Sequence, residues 1–181
     1  MDAESLVLAV LGAVPRHEVG GKKRLQRLAF FAVQAGAKCN VKFFLHDFGP
    51  FSTEVANATD VLSFFGAISE REAQLPKTKR YYKIYCLQDT KTVSEDLPEG
   101  TTEALRMLNE YSTIELEIAS TIRYFMNAGQ AAEKAIEATK KMKPTKSAPR
   151  IVQRAEEALS KVGLYERGRA DQVSGTRSYQ F

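Results

Sequence analysis

The chain has 181 residues, of which 44% are hydrophobic and 27% charged. This composition is enough to build a core without a structural metal or a disulfide framework, and it excludes a disordered or low-complexity polymer. The net charge of +4 is mild, but its distribution is uneven. Residues 76–90 and 134–165 carry a surplus of basic side chains, residues 91–133 carry a surplus of acidic ones, and residues 1–75 are balanced.

Compartment and cofactor class follow from what the sequence lacks. No apolar run approaches the roughly 20 residues needed to cross a bilayer, and the apolar N-terminal stretch 6–14 lacks the basic region of a secretion signal. We therefore expect a cytoplasmic protein without a membrane partner. Cys39 and Cys86 stand far apart, without metal-ligand spacing. No metal site, disulfide or cofactor is predicted.

The first half of the chain mixes helices with short strands. An apolar stretch closed by a proline predicts a helix over 5–14, and apolar residues at helical spacing predict a second helix from 22 to 36. Aromatic and β-branched residues predict a strand over 41–48, stopped at Gly49-Pro50, and Ser52 then caps a helix that runs to 66. A β-hairpin is predicted from residues 67–70 and 80–87, with a loop over 71–79 between them.

The second half is predicted to be helical. Residues 90–100 lack periodicity and mark a boundary between two lobes. Beyond it we predict helices over 102–111, 112–128, 131–142 and 149–162, the second of them opened by a capping box at Ser112 and Glu115. Two of these helices carry apolar rows that predict a contact within one chain or between two copies, at Ile114, Ile118, Ile122 and Phe125 and at Ile151, Ala155, Leu159 and Val162.

The order of these elements predicts the fold class. Helix, helix, strand, helix and hairpin within the first 90 residues is typical of a winged helix-turn-helix domain. The prediction is a mainly α protein with a small β-hairpin: a winged-helix-like N-terminal lobe at 1–90, an α-helical lobe of four helices at 100–165 and a polar mobile tail at 166–181. Leu25, Leu28, Leu62 and Phe65 are predicted to form the core shared by two helices of the first lobe.

A catalytic site is not predicted. His46, Asp47 and Ser52 invite comparison with a nucleophile, base and acid, but His46 and Asp47 are neighbours on a predicted strand and would point to opposite faces. Ser52 is accounted for as a helix cap. The chain also lacks the common phosphate-binding, metalloprotease and hydrolase motifs. We expect a protein that is not an enzyme and has no evident small-molecule substrate.

Two short motifs carry a resemblance to known families. The stretch Lys23-Arg24-Leu25-Gln26-Arg27-Leu28 with the aromatic residues after it, and the corner Phe48-Gly49-Pro50-Phe51-Ser52, resemble the YwgA-like proteins and the related Panacea, or SocA-like antitoxin, domains. Residues 136–144 and 163–165 are similar to the YwgA-like group too. The resemblance implies a small helical domain of winged-helix type without catalytic residues, and Panacea members neutralise toxins as their partners. The Panacea pattern often has a Trp before the corner, and this chain has no Trp, which favours the YwgA-like branch.

The first functional hypothesis is a regulator that binds DNA mainly through the phosphate backbone. Most of the predicted contacts are basic side chains near the second helix and on the hairpin, since such residues release counterions from phosphates. The helix over 52–66 offers only Asn57 as a base-reading side chain, and it also carries the acidic residues Glu54 and Asp60. Binding would therefore depend mostly on the phosphate backbone. The predicted nucleic-acid contacts are Lys22, Lys23, Arg24, Arg27, Asn57, Lys77, Lys79, Arg80 and Lys83.

The second hypothesis is a protein-interaction module of antitoxin or immunity type that neutralises or adapts a partner protein. It needs no base-reading helix. Tyr81 and Tyr85 are predicted partner-binding anchors, with Tyr179 and Phe181 as further aromatic candidates. A homodimer is a further possibility, because the acidic block 91–133 and the basic block 134–165 complement each other.

Overall fold

A computed structural model describes residues 1–75, 80–93 and 97–165 of the chain. The predicted contacts Lys77 and Lys79, the predicted tail at 166–181 and the aromatic residues Tyr179 and Phe181 lie outside these residues.

All seven predicted helices are found in the described part of the chain. Their predicted caps are present: the Ser52 side chain accepts from the backbone N–H of Val55, and Ser112 and Glu115 form a reciprocal capping box. Asp2 caps the first helix. The helices are α1 (Ala3–Ala13), α2 (Lys22–Gln34), α3 (Thr53–Phe64), α4 (Glu99–Leu108), α5 (Thr113–Asn127), α6 (Ala132–Met142) and α7 (Pro149–Lys161).

The predicted hairpin is part of a three-stranded antiparallel sheet. Its strands are β1 (Glu18–Gly20), β4 (Ile68–Gln74) and β5 (Tyr81–Leu87), in the order β1-β5-β4. Ile68 stands opposite Leu87, and Gln74 stands opposite Tyr81, so β4 continues into the region predicted as a loop from residue 71. β1 was not predicted, because a strand of three residues is too short to show an alternating pattern.

The predicted strand over 41–48 is replaced by a small hairpin. Only Phe44–His46 (β2) is extended in a ladder, and Gly49–Phe51 (β3) pairs with it, His46 opposite Gly49. Gly49-Pro50 was expected to stop the strand and instead begins the second one. Gly49 has a φ of +101°, a conformation that glycine adopts without strain, and this allows the chain to reverse within two residues.

One hydrophobic cluster joins both halves of the described chain. It includes α1 and α2 residues such as Leu6 and Leu28 together with α5 and α7 residues such as Ile118 and Leu159. α2 is central to it, since this helix contacts α1, α3, α4 and α5. The predicted lobes at 1–90 and 100–165 therefore share apolar packing.

Three of the four predicted N-terminal core residues are buried and one is not. Leu25, Leu28 and Leu62 lie in the core, whereas Phe65 is 78% exposed. Phe65 is the C-cap of α3, where the chain leaves the helix and reverses at Gly66. The apolar spacing that predicted its burial ends with the helix.

The predicted contact between two C-terminal apolar rows is found within one chain. α5 packs against α7, with Ile118 and Ile122 of one helix and Ala155 and Leu159 of the other all buried. Ile114, in the first turn of α5, lies outside the contact and is exposed. No helix among the described residues has the length and apolar character required to span a membrane.

Candidate functional site

The two motifs singled out in the sequence are joined by a buried amide. The side-chain N–H of Gln26 donates to the carbonyl oxygen of Ser52, and the backbone N–H of Ser52 donates back to the side-chain oxygen of Gln26, both over 2.9 Å. Both residues are buried. α2 thus holds the start of α3 at a set position, and Ser52 caps that helix at the same point.

Arg27 holds the preceding turn from inside the protein. Its Nη2 donates to the carbonyl oxygen of Phe48 over 2.7 Å and to Oε2 of Glu117 over 3.0 Å. The side chain is 1% exposed. Arg27 was predicted to contact nucleic acid, and that prediction is wrong, because its guanidinium is enclosed between α2, the β2–β3 turn and α5.

Glu117 forms salt bridges with three basic side chains. In addition to Arg27, it accepts from Nζ of Lys143 over 2.9 Å and from Nζ of Lys146 over 2.8 Å. Lys143 also donates to the carbonyl oxygen of Asp47 over 2.6 Å, so both residues of the turn between β2 and β3 are held by buried cations. We call Arg27, Glu117, Lys143 and Lys146 the Glu117 cluster. It contains one carboxylate and three basic groups.

The ionisation of this cluster reflects its burial and its excess of positive charge. Burial raises the pKa of Glu117, but the hydrogen bonds from Lys146 and Lys143 and the charge of Arg27 outweigh that effect, and the net pKa is lowered. Burial lowers the pKa of Arg27 to about 10, and the attraction of Glu117 offsets only part of this. The single negative charge of Glu117 therefore offsets only part of the positive charge of Arg27, Lys143 and Lys146.

Gly49 lets the β2–β3 turn approach α5 closely. A Cβ atom at this position would lie 3.2 Å from Oγ1 of Thr121 and 3.4 Å from Oγ of Ser120, and the positive φ disfavours any side chain. The Gly-Pro corner is consequently a packing element as well as a turn.

A pocket of about 150 Å³ opens beside this corner, between α2, α3 and β3. We call it the α2–α3 pocket. Its apolar lining comes from Leu25, Pro50, Phe51, Val55 and Ala56, and Arg27 is also among the lining residues.

Exposed side chains at the same pocket are cationic or aromatic. Lys22, Lys23, His46 and Phe48 all line it and are all exposed. Nζ of Lys23 lies 3.1 Å from the centroid of the Phe48 ring, and the His46 ring stacks on Phe48 with centroids 5.9 Å apart.

The remaining predicted nucleic-acid contacts are divided between structural roles and the surface. Arg24 is partly buried and donates to the backbone carbonyl oxygens of Tyr111 and Asn109. These bonds link α2 to the segment that follows α4, and the predicted contact of Arg24 with nucleic acid stays a prediction. Lys22 forms a salt bridge with Asp60 over 2.5 Å, and Lys83 forms one with Glu70. Asn57 and Arg80 are exposed, and their contact with nucleic acid stays a prediction.

The two tyrosines predicted as partner anchors differ. Tyr81 is 67% exposed, whereas Tyr85 is fully buried and burial raises the pKa of its hydroxyl to about 12. Tyr85 lies on the central strand of the sheet, opposite Val19 of β1 and Glu70 of β4. Its predicted role in partner binding is therefore wrong, because its face of β5 packs into the hydrophobic cluster instead of facing solvent.

An exposed apolar surface was missed at the C-terminal end of α3. Phe64 is 84% exposed and Phe65 is 78% exposed, and their rings meet edge to face with centroids 5.2 Å apart. Val61, one helical turn before Phe65, is also exposed. We call these three residues the α3 aromatic patch. Asp60 and Glu70 line a shallow groove that also includes Phe64, and both carboxylates are paired with lysines, Lys22 and Lys83.

Comparisons with known proteins add no assignment: no family model, curated protein or solved structure matches this chain. Among the described residues, no group of His, Cys, Asp and Glu is arranged to hold a metal ion. The site must therefore be interpreted from its own geometry.

Proposed function

We propose that this protein is a winged-helix-like interaction module that binds a partner protein through the α3 aromatic patch. The partner surface that fits is apolar at its centre. The observation that carries the proposal is the side-by-side exposure of Phe64 and Phe65 at the end of a well-packed helix.

The order of the elements supports the winged-helix part of the proposal. α1, β1, α2, α3, β4 and β5 occur in this order along the chain, with the small β2–β3 hairpin inserted between α2 and α3, and β1 completes the sheet beside the hairpin strand β5. In a helix-turn-helix protein the second helix of the pair is the one presented to the ligand. α3 corresponds in order to that second helix, and Gln26 of α2 is hydrogen-bonded to Ser52, the N-cap of α3.

The side chains that α3 presents favour a protein over DNA. A helix entering the major groove needs donors for base edges and must approach phosphates, and α3 exposes Glu54 and Asp60, which repel them. Asn57 is its one exposed amide. Lys22, at the edge of this face, is already paired with Asp60.

The energetics of the patch also favour a protein partner. Single exposed apolar residues are common, but contiguous exposed aromatic side chains mark interaction surfaces. Aromatic anchors contribute a large share of the binding energy at protein interfaces, and charged residues around them set which partners are accepted.

The resemblance to YwgA-like and Panacea proteins suggests which partner to test. An antitoxin or immunity role would make the partner the product of a neighbouring gene. Co-expression and co-purification with that product is the direct experiment. We expect Phe64→Ser combined with Phe65→Ser to abolish the complex, and Ile114→Ser, which changes an equally apolar but distant exposed side chain, to leave it intact.

A gel-shift titration at low salt separates the two functional hypotheses. We expect no DNA binding. DNA binding that weakens with salt and is lost in Arg80→Ala would favour the backbone-binding regulator instead. A partner complex that survives the double Phe substitution would overturn the role of the α3 aromatic patch.

A further inference from the structure

The α2–α3 pocket has the size and lining of a site for one small ring. Its volume of about 150 Å³ and its apolar side chains, among them Leu25, Pro50 and Val55, are comparable with those of apolar cavities that take up benzene. The pocket lies behind the first two turns of α3 and is distinct from the α3 aromatic patch, which is at the other end of that helix.

Buried Arg27 supplies a reason for the ligand to be an anion. Its Nε and Nη1 have no hydrogen-bond partner among the residues that the structure describes, although its side chain is 1% exposed and Arg27 lines the pocket. Leaving a buried charged donor without an acceptor is costly. A negatively charged group bound at this side of the pocket would add counter-charge to the Arg27 guanidinium.

The other charges around the pocket act in the same direction. Lys23 lines the pocket. Arg27, Lys143 and Lys146 share Glu117 as their one salt-bridge partner within the part of the chain that the structure describes. Burial lowers the pKa of Lys23, and repulsion from Lys146 and Arg27 lowers it further. These shifts indicate a positive potential at the pocket that a bound anion would relieve.

We propose that the α2–α3 pocket binds a small aromatic carboxylate, with its ring against the apolar side chains of β3 and α3 and its carboxylate on the side of Arg27 and Lys23. Both halves of this ligand are required by the site. The ring accounts for the apolar lining, and the carboxylate accounts for the surplus of buried and neighbouring cations. The inference does not depend on the partner bound by the α3 aromatic patch.

Three probes separate the contributions of the ring and the charge. The full chain is titrated with benzoate, with benzamide as a neutral ring of the same shape, and with acetate as a charge without a ring, and binding is followed by amide chemical shifts and calorimetry. We expect benzoate to bind at least about tenfold more tightly than either control, as expected for one charge-assisted hydrogen bond or one buried ring. The affected amides should include those of Ala56 and Thr59, which line the pocket.

Two substitutions locate the site without touching the Glu117 cluster. Ala56→Phe places a ring in the pocket from a partly exposed position, and Lys23→Gln removes one neighbouring charge. Both should weaken benzoate binding, and Lys38→Gln, at an exposed lysine that does not line the pocket, should not. Each variant is first checked for an unchanged amide spectrum away from the substitution.

The proposal fails if benzoate causes no shifts up to about 10 mM, a concentration well above a millimolar dissociation constant. It also fails if benzamide or acetate binds as tightly as benzoate, or if Ala56→Phe leaves the affinity unchanged.

Discussion

Removing the charge of Glu117 tests how the two halves of the chain are held together. In Glu117→Gln the side chain keeps its shape and one oxygen, but Arg27 and Lys143, which are 1% and 2% exposed, lose their counter-charge. Lys146 is 34% exposed and can turn towards solvent. Two enclosed cations are therefore left uncompensated.

The expected loss is large for a single substitution. Breaking a buried ion pair by neutralising one partner costs about 3–5 kcal/mol, because the other charge stays buried. For a chain of this length, each 1 kcal/mol corresponds to roughly 2–4 °C in Tm, so we expect Tm to fall by about 6–20 °C. The β2–β3 turn should loosen as well, since the carbonyl oxygens of Asp47 and Phe48 are held by these two cations.

Urea and thermal unfolding, followed by far-ultraviolet circular dichroism, measure this loss. Glu137→Gln is the matched control: it makes the same chemical change at an exposed site on α6, where we expect less than about 0.5 kcal/mol. Adding Lys143→Met to Glu117→Gln removes one of the two buried cations that have lost their counter-charge, and it should recover part of the stability. A Tm for Glu117→Gln within about 1 °C of the unchanged protein would refute the account of the cluster.

Three further outcomes are expected. Since the folded-state pKa of Glu117 is lowered, its contribution to stability is fully present above the ordinary carboxyl pKa and is lost as the pH falls through the lowered value. The stabilities of the unchanged protein and Glu117→Gln, measured by acid unfolding, should therefore converge at low pH, and a constant difference would contradict this. Gly49→Ala should lower the free energy of unfolding by about 1–3 kcal/mol in urea titrations, through its positive φ and its approach to Thr121, and an unchanged midpoint would show that the turn relaxes freely. In the same titration, Leu28→Ala should lower the free energy of unfolding by about 2–5 kcal/mol, and Phe65→Ser should lower it by less than about 0.5 kcal/mol. The reverse order would show that the buried face of α2 and the end of α3 are misassigned.

Local sequence was sufficient to predict the helices, their caps and the long hairpin. These features depend on contacts within a few residues: the apolar spacing of α2, the serine that caps α3 and the capping box of α5 are all formed by neighbours in the chain. The motif resemblance likewise singled out Gln26, Arg27 and the Gly49 corner, although it did not show that they touch.

The candidate sites were decided by the tertiary structure. Arg27, Glu117 and Lys143 come from three segments far apart in the chain, and each looks like an ordinary charged residue on its own helix or at its end. Their burial is set by how α2, α5 and the end of α6 pack around the β2–β3 turn. Tyr85 became a core residue because its face of β5 packs into the hydrophobic cluster of the complete fold. Phe65 became a surface residue because α3 ends one residue before it. Periodicity describes a helix or strand in isolation, whereas burial depends on which neighbours the complete fold places against it.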